Sequence, residues 1–299
     1  MTISVSPSCE VVRAGPRVRP RDHEGVSWQW DPSLYEGAAS HYARGRVAYP
    51  PALADLLAAE LGLDGSGRLL DVGCGPGSLT LLLAPLVAEA TGVDADPGMI
   101  AEAEDLAERA GARNVRWRVL RAEDLPAGLG TFRLVTFAQS FHWMDRDRVA
   151  AVVHGMLQPG GTCVHVHATT HEGVDSPGAL PHPEPPRAAI TDLVRRYLGP
   201  ERRAGQGVLP GGTPSGEEHI YRAAGFSGPR RLELPGQLVE RSADEVVAAV
   251  LSLSGSAPHL FGPRLAEFDA DLRALLRDTS PTGVFSQQMR EIAVDLWTP

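Results

Sequence analysis

The spacing of apolar residues changes period along the chain, and the change sorts it into strands, helices and breaks. Short apolar runs at 68–72, 90–95, 115–122, 132–140 and 161–170 predict strands. Between them, apolar positions recur at helical spacing over 52–61, 80–90, 97–110 and 146–157. Strand and helix alternating at these lengths predict a parallel sheet with crossover helices, a doubly wound α/β fold. The alternation stops after His171: residues 172–188 hold five prolines, which predicts an exposed loop. Helices are then predicted over 189–198 and 216–224, a strand over 230–235, helices over 242–254 and 263–277, and one closing strand over 285–297. Ser242 with Glu245 ahead of an apolar run is the signature of a capping box. The chain divides into an N-terminal arm (1–27), lid helices (28–67), a core (68–171), a loop with a helical cap (172–228) and a C-terminal part completing the sheet (229–299).

The junction between the first strand and its helix reads LLDVGCGPGSLT over residues 69–80. A glycine there accepts backbone angles closed to other residues and lets a ligand approach the main chain. The helix that follows begins with free N–H groups aimed at that ligand. Gly73, Gly75 and Gly77, with Asp94 at the end of the next strand to accept hydrogen bonds from ribose hydroxyls, mark a nucleotide-type cofactor site. A dinucleotide fingerprint runs G-x-G-x-x-G, whereas this one runs G-x-G-x-G with Ser78 at the sixth position. Asp71 adds a carboxylate ahead of the turn, suited to the amino group and sulfonium charge of S-adenosylmethionine and not to a pyrophosphate.

Composition removes several classes. The formal net charge of -9 argues against a nucleic-acid partner, whose phosphates require clustered cations. All 28 Lys+Arg residues are arginine, which excludes a Schiff-base lysine, a pyridoxal enzyme and a P-loop. Cys9, Cys74 and Cys163 are scattered and odd in number, so neither a disulfide framework nor a metal site is expected. No run is long and apolar enough for a membrane span, and no charged leader precedes an apolar core, so a cytoplasmic location is expected.

Residues 69–77, with GVDADPGM (92–99), RAEDLP (121–126) and AQSFHWM (138–144), resemble the class I S-adenosylmethionine-dependent methyltransferases. Within these they are most similar to a small-molecule branch that includes trans-aconitate methyltransferase. YARGRVAYP (42–50) is similar to that branch's entry helix, with Val47 in place of its proline. The resemblance covers roughly residues 30–297, least well from about 172 to 215. It implies a Rossmann-like, mostly parallel seven-stranded sheet with an N-terminal lid and an inserted helical cap. It further implies that Gly73, Gly75 and Gly77 pass under the methionine part and that Asp71 helps hold its amino group. Asp94 and the neighbouring Ala95 would meet the ribose, Met99 the adenine, and Ala122 and Glu123 its polar edge, with Gln139 at the mouth. Tyr42 and Arg46 would close over the methionine end, the guanidinium facing its carboxylate.

The stretch Gln139-Ser140-Phe141-His142-Trp143 stands where enzymes methylating nucleobase amines resemble one another in an [Asn/Asp]-Pro-Pro-[Tyr/Phe] motif, so nucleobase amines are not expected. His142 is the leading candidate for a general base and His171 a second, because imidazole titrates near neutrality. His165 and His167 share a strand face and are read as buried or pocket-lining, not as a metal pair. Trp28, Trp30, Tyr35, His142, Trp143 and His167 are candidate acceptor contacts. The expected acceptor is a polar small molecule methylated on N or O, aminoglycoside-like, by a monomer or homodimer that releases S-adenosylhomocysteine. Two alternatives stay open: carboxylate O-methylation of the trans-aconitate type, with Arg195, Arg196, Arg202 and Arg203 lining the pocket, and a non-catalytic S-adenosylmethionine sensor.

Overall fold

The computed structural model describes residues 31–176, 178–201, 203–204, 207–208 and 216–299. Two helices come first, α1 (Ala39–Gly45) and α2 (Pro51–Leu61). The core follows as β1 (Arg68–Val72), α3 (Ser78–Leu83), β2 (Glu89–Asp94), α4 (Pro97–Ala110), β3 (Val115–Val119), β4 (Phe132–Ala138), α5 (Arg146–Met156) and β5 (Leu157–His167). Then come α6 (Arg187–Leu198), the short pair β6 (Arg203–Ala204) and β7 (Gly207–Val208), α7 (Glu217–Ala223), β8 (Ser227–Leu234) and β9 (Leu238–Ser242). The chain closes with α8 (Ala243–Leu251), α9 (Pro258–Phe261), α10 (Leu265–Thr279), β10 (Val284–Gln288) and β11 (Ile292–Thr298).

Seven strands form one sheet in the order β3-β2-β1-β4-β5-β11-β8. The first five are parallel, and β11 runs antiparallel between β5 and β8. Strand order reverses between β1 and β4, and ligands of such sheets bind beyond the carboxyl ends of the strands at that point. Successive side chains on a strand point to opposite faces, so Leu69 enters one apolar layer and Leu70 the other. The Leu69 layer packs with Leu53 and Leu57 of α2 and Leu79 and Leu83 of α3. The Leu70 layer packs with Val149 and Val153 of α5 and Ile220 and Tyr221 of α7.

Two predicted elements differ from what forms. The helix expected over 80–90 stops at Leu83; a single 3-10 turn, Ala84–Leu86, follows, because Pro85 has no N–H to continue the ladder. The single closing strand is two strands in different sheets: β10 pairs with β9 and β11 enters the main sheet. The polar stretch around Arg290 and Glu291 lies between them.

A third apolar cluster stands apart from the sheet. It joins Leu193 and Tyr197 of α6 to Val246 and Val250 of α8, Phe261 of α9, Phe268 and Leu272 of α10, and Phe285 of β10. The cap is thus assembled from two separate stretches, one after β5 and one between β8 and β11. By contrast, α7 lies within the stretch expected to be cap but packs on the sheet, with Tyr221 fully buried there. The capping box at Ser242 and Glu245 starts α8.

The cap holds the lid. A Cβ on Gly45 of α1 would fall 2.2 Å from the main-chain nitrogen of Ala249 in α8, so the two helices touch backbone to backbone. Arg241 of β9 donates to the Gly45 carbonyl at 2.6 Å, fastening the end of α1.

Candidate functional site

At the switch point the glycine turn folds back on β2. Gly73 N–H and Cys74 N–H both donate to the Val93 carbonyl, at 2.8 and 3.0 Å. All three glycines have positive φ, +68° at Gly73, +54° at Gly75 and +81° at Gly77, in the region that excludes most side chains. Their surroundings differ. A Cβ at Gly77 would strike the Trp117 ring at 2.4 Å, and one at Gly73 would strike Ser140 at 2.4 Å, whereas one at Gly75 would meet nothing within 4 Å. Gly75 therefore faces open space, and Gly77 is needed for packing and for starting α3, not for the cavity wall.

The open space is a cleft of about 950 Å³ including its mouth. Its walls bring together Tyr42, Arg46, Asp71, Gly73, Gly75, Asp94, Ala95, Met99, Ala122, Glu123 and Gln139, together with Tyr35 and Trp143. Tyr35 and Trp143, expected at the acceptor, stand here instead, their rings edge-to-face at 6.3 Å, with Tyr42 on the other side of Tyr35 at 6.2 Å. The reading missed Tyr49, Cys74, Ser140, Met144 and Thr170, which line the same cleft. Tyr49, Cys74, Ser140 and Met144 lie inside the stretches 42–50, 69–77 and 138–144 and Thr170 outside them, and only the fold shows which of these side chains face the cleft.

The acids of the cleft are held in place. Asp94 accepts from Gly75 N–H at 2.8 Å and from Asp96 N–H at 2.9 Å, tying the glycine turn to the β2–α4 loop. Burial pushes its carboxyl up to about 6, against the pull of those two N–H donors. Asp71 is 1% exposed and accepts from Thr80 Oγ1 at 2.5 Å and Thr136 Oγ1 at 2.7 Å; burial still raises its carboxyl. Glu123 accepts from Asp145 N–H at 2.9 Å and so fixes the loop that starts α5. Gln139 takes a left-handed φ of +61° and donates from its side chain to the Ala168 carbonyl. A strained non-glycine residue at a cleft mouth is held by its surroundings, here the ends of β4 and β5.

Arg46, in the wall of this cleft, touches His171 in the wall of a second cavity. Its guanidinium lies 4.3 Å over the Tyr42 ring. It donates to Ser252 Oγ at 2.8 Å and to the Ser252 carbonyl at 3.1 Å, and it meets His171 Nδ1 at 3.1 Å. Because an arginine only donates, His171 Nδ1 accepts, and its Nε2 faces Glu172 Oε1 at 3.6 Å. His171 belongs to the wall of the second cavity, about 1580 Å³ with its mouth, between the end of β5 and the cap. Arg187, Ile190, Val194, Arg195, Arg241, Val250 and Leu253 also line it.

The other two histidines lie elsewhere. His142 sits in a 3-10 turn, Phe141–Trp143, with its ring 4.8 Å from that of Trp143, and lines neither cavity. His167 Nε2 pairs with Asp295 Oδ2 at 3.0 Å, and its ring stacks on His165 at 4.3 Å, joining β5 to β11 away from both cavities. Arg231 grips the same Asp295 through two bonds, at 2.8 and 2.7 Å. Among the described residues no group of three or more His, Cys, Asp or Glu side chains could hold a metal. Trp28, Trp30 and Arg202 lie outside the described residues, and Arg196 is not in either wall.

The cleft fits S-adenosylmethionine part by part. Open space at Gly75 leaves room beside the main chain, Asp94 keeps lone pairs for ribose hydroxyls, and the buried Met99 offers an apolar face for the adenine. Two of the five N–H groups of Arg46 remain for a carboxylate after its three bonds.

Comparison with known proteins agrees with this chemistry. Residues 69–161 match the family model of the methyltransferase domain. An uncharacterized methyltransferase of Mycobacterium bovis is 34% identical over 132 residues, covering 44% of this chain and 51% of the relative. A probable S-adenosylmethionine-dependent methyltransferase of Saccharomyces cerevisiae is 30% identical over 145 residues, 48% of this chain and 49% of the relative. The chain thus spans about half the length of the curated relatives it matches. Among solved structures, a putative type II methyltransferase from Anaeromyxobacter dehalogenans aligns with a TM-score of 0.48 at 22% identity, over 84% of this chain and 95% of that one. Residues 69–161, which hold the glycine turn and Asp94, are thus similar to the methyltransferase domain.

Proposed function

We propose that the protein transfers a methyl group from S-adenosylmethionine to a nitrogen or oxygen of a small molecule bound in the second cavity. The carrying observation is a contact between the two walls: Arg46 lines the cofactor cleft, and its partner His171, at 3.1 Å, lines the second cavity. When bound, the cofactor supplies a methyl carbon made electrophilic by the sulfonium. The chain's own contribution is positional. Tyr35, Tyr42 and Trp143 cover the cleft and exclude water, and α1 is fastened from behind by α8.

No histidine stands in the cofactor cleft wall among the described residues, and burial raises the phenols of Tyr35 and Tyr49, which favours their neutral form. In the second cavity His171 offers no spare lone pair, since its Nδ1 accepts from Arg46 and its Nε2 carries its proton toward Glu172, so the acceptor atom reacts without a protein base, as an amine in its neutral form or an acidic hydroxyl. The second cavity has apolar walls over much of its extent, which suits an acceptor with an apolar body more than the aminoglycoside-like one expected from composition. Natural-product tailoring is the proposed setting, supported by the arginine-only, glycine- and proline-rich composition.

The test is transfer of label from methyl-labelled donor to acceptors from an extract of small metabolites, beside thermal stabilisation by S-adenosylhomocysteine. Stabilisation with labelled product supports the reading. Stabilisation without transfer to any acceptor points to a sensor, and stabilisation by a nicotinamide dinucleotide in place of S-adenosylhomocysteine rejects the cofactor assignment.

A further inference from the structure

The charge inside the second cavity is unbalanced at one place. Arg241 of β9 is 4% exposed and lies in the cavity wall. Its guanidinium donates only to neutral acceptors: Nη1 to Gln287 Oε1 at 3.1 Å, and Nη2 to the carbonyls of Gly45 at 2.6 Å and Glu245 at 2.8 Å. Arginines that are more exposed than Arg241 nonetheless have carboxylates, Arg231 with Asp295, Arg68 with Glu89 and Arg187 with Asp175 and Glu184. Among the described residues Arg241 has none within ion-pair distance. Arg46, held by Ser252 and His171, adds a second cation nearby and no counter-charge. The nearby acids do not fill the gap: Glu245, whose charge reaches Arg241, turns its carboxylate to the Ser242 N–H and hydroxyl at 2.7 Å each, Glu172 is engaged with His171, and Glu201 is exposed.

Neutral carbonyls orient a guanidinium but leave its charge uncancelled, and a buried cation is stable when an anion shares its site. Three of the five N–H groups are used, so two remain, and Gln287 has its NH2 group free of the Arg241 bond.

Resting on the reading of this cavity as the acceptor site, we propose that the acceptor is an amphiphilic acid whose carboxylate is anchored by Arg241 and Gln287, with its apolar body against Ile190, Val194, Val250 and Leu253. The carboxylate is the anchor and not the methylated group. Arg241 is absent from the wall of the cofactor cleft, and a carboxylate held by a guanidinium accepts its N–H groups with the lone pairs that an attack on the methyl carbon would need. In the transfer, a second heteroatom of the acceptor forms the bond to the methyl carbon. The S–CH3 bond breaks with its electron pair returning to sulfur, and the heteroatom's proton passes to solvent.

The experiment is calorimetric titration of the full chain saturated with S-adenosylhomocysteine, using cinnamate against cinnamamide and octanoate against octanamide. The acids should bind at least about tenfold more tightly than their amides, a preference weakened by added salt and lost in Arg241→Gln. Because Arg241 also fastens the lid, Val194→Trp serves as a second variant: it fills the cavity, removes acid binding and leaves S-adenosylhomocysteine affinity within about twofold of the wild type. Equal binding of acid and amide, no binding by any of the four, acid binding that survives Val194→Trp, or a methyl ester formed when S-adenosylmethionine replaces S-adenosylhomocysteine each overturns the proposal. Failure of S-adenosylhomocysteine to bind overturns the methyltransferase reading itself, so the two failures are told apart.

Discussion

A residue's neighbours decide what its chemistry can be, and Asp94 shows how far. Desolvation of its half-buried carboxyl, against the pull of two backbone N–H groups, pushes it up to about 6. The native state therefore holds the proton more tightly than the unfolded chain, so this group's contribution to stability falls as pH rises from the usual carboxylate range to about 6 and is constant above it. Ribose hydroxyls need the ionised form as acceptor, so S-adenosylhomocysteine affinity should fall below pH 6 by up to about tenfold per unit, measured by calorimetry, and Asp94→Asn should be weak and flat across that range. Gly75 gives a second test at this scale. Its Cβ position is open, so Gly75→Val should abolish S-adenosylhomocysteine stabilisation, chiefly by blocking the approach and partly by straining a φ of +54°. His142 gives the contrary case: it lines neither cavity, so His142→Ala should lower kcat by far less than the roughly 10²–10⁴-fold that loss of a general base brings. Asp71, Gly75 and Asp94 were legible because spacing and chain order placed them. His142 and His167 were not, because a histidine's type says nothing of which way its strand or turn faces.

At the scale of elements, helix propensity and tertiary contact pull in opposite directions at Gly45. In an isolated helix, Gly→Ala gains about 1 kcal/mol. Here the added Cβ falls 2.2 Å from the Ala249 nitrogen, so α1 must move off α8. Gly45→Ala should destabilise the protein by about 1–3 kcal/mol in urea and weaken S-adenosylhomocysteine binding, because Tyr42 and Arg46 ride on and beside the displaced helix. Helical spacing predicted α4, from Pro97 to Ala110, and the structure shows Asp96 capping it and Gly111 ending it. The periodicity overran α3 because the apolar text continues past Pro85, and it fused β10 with β11 because both carry strand-forming residues and their pairing partners lie far away in sequence.

Over the whole molecule, the cap is a separate apolar unit resting on the sheet, built on Phe268, Leu272 and Phe285, all fully buried. Phe268→Ala should cost about 3–5 kcal/mol there. Hydrogen exchange should show α8 and α10 opening before β1 and β4, which lie in the sheet's own apolar layers. The sequence by itself determined the alternating strands and helices, the parallel core, the glycine turn and the methyl donor, because these are short-range patterns whose physics is written in neighbouring residues. It also placed Arg46 beside Tyr42. The tertiary structure decided that the cap draws on two distant stretches, that Arg46 of the cleft meets His171 of a second cavity, and that Arg241 is buried there without a carboxylate. Those facts depend on contacts across as many as 206 residues of chain, and no local period carries them.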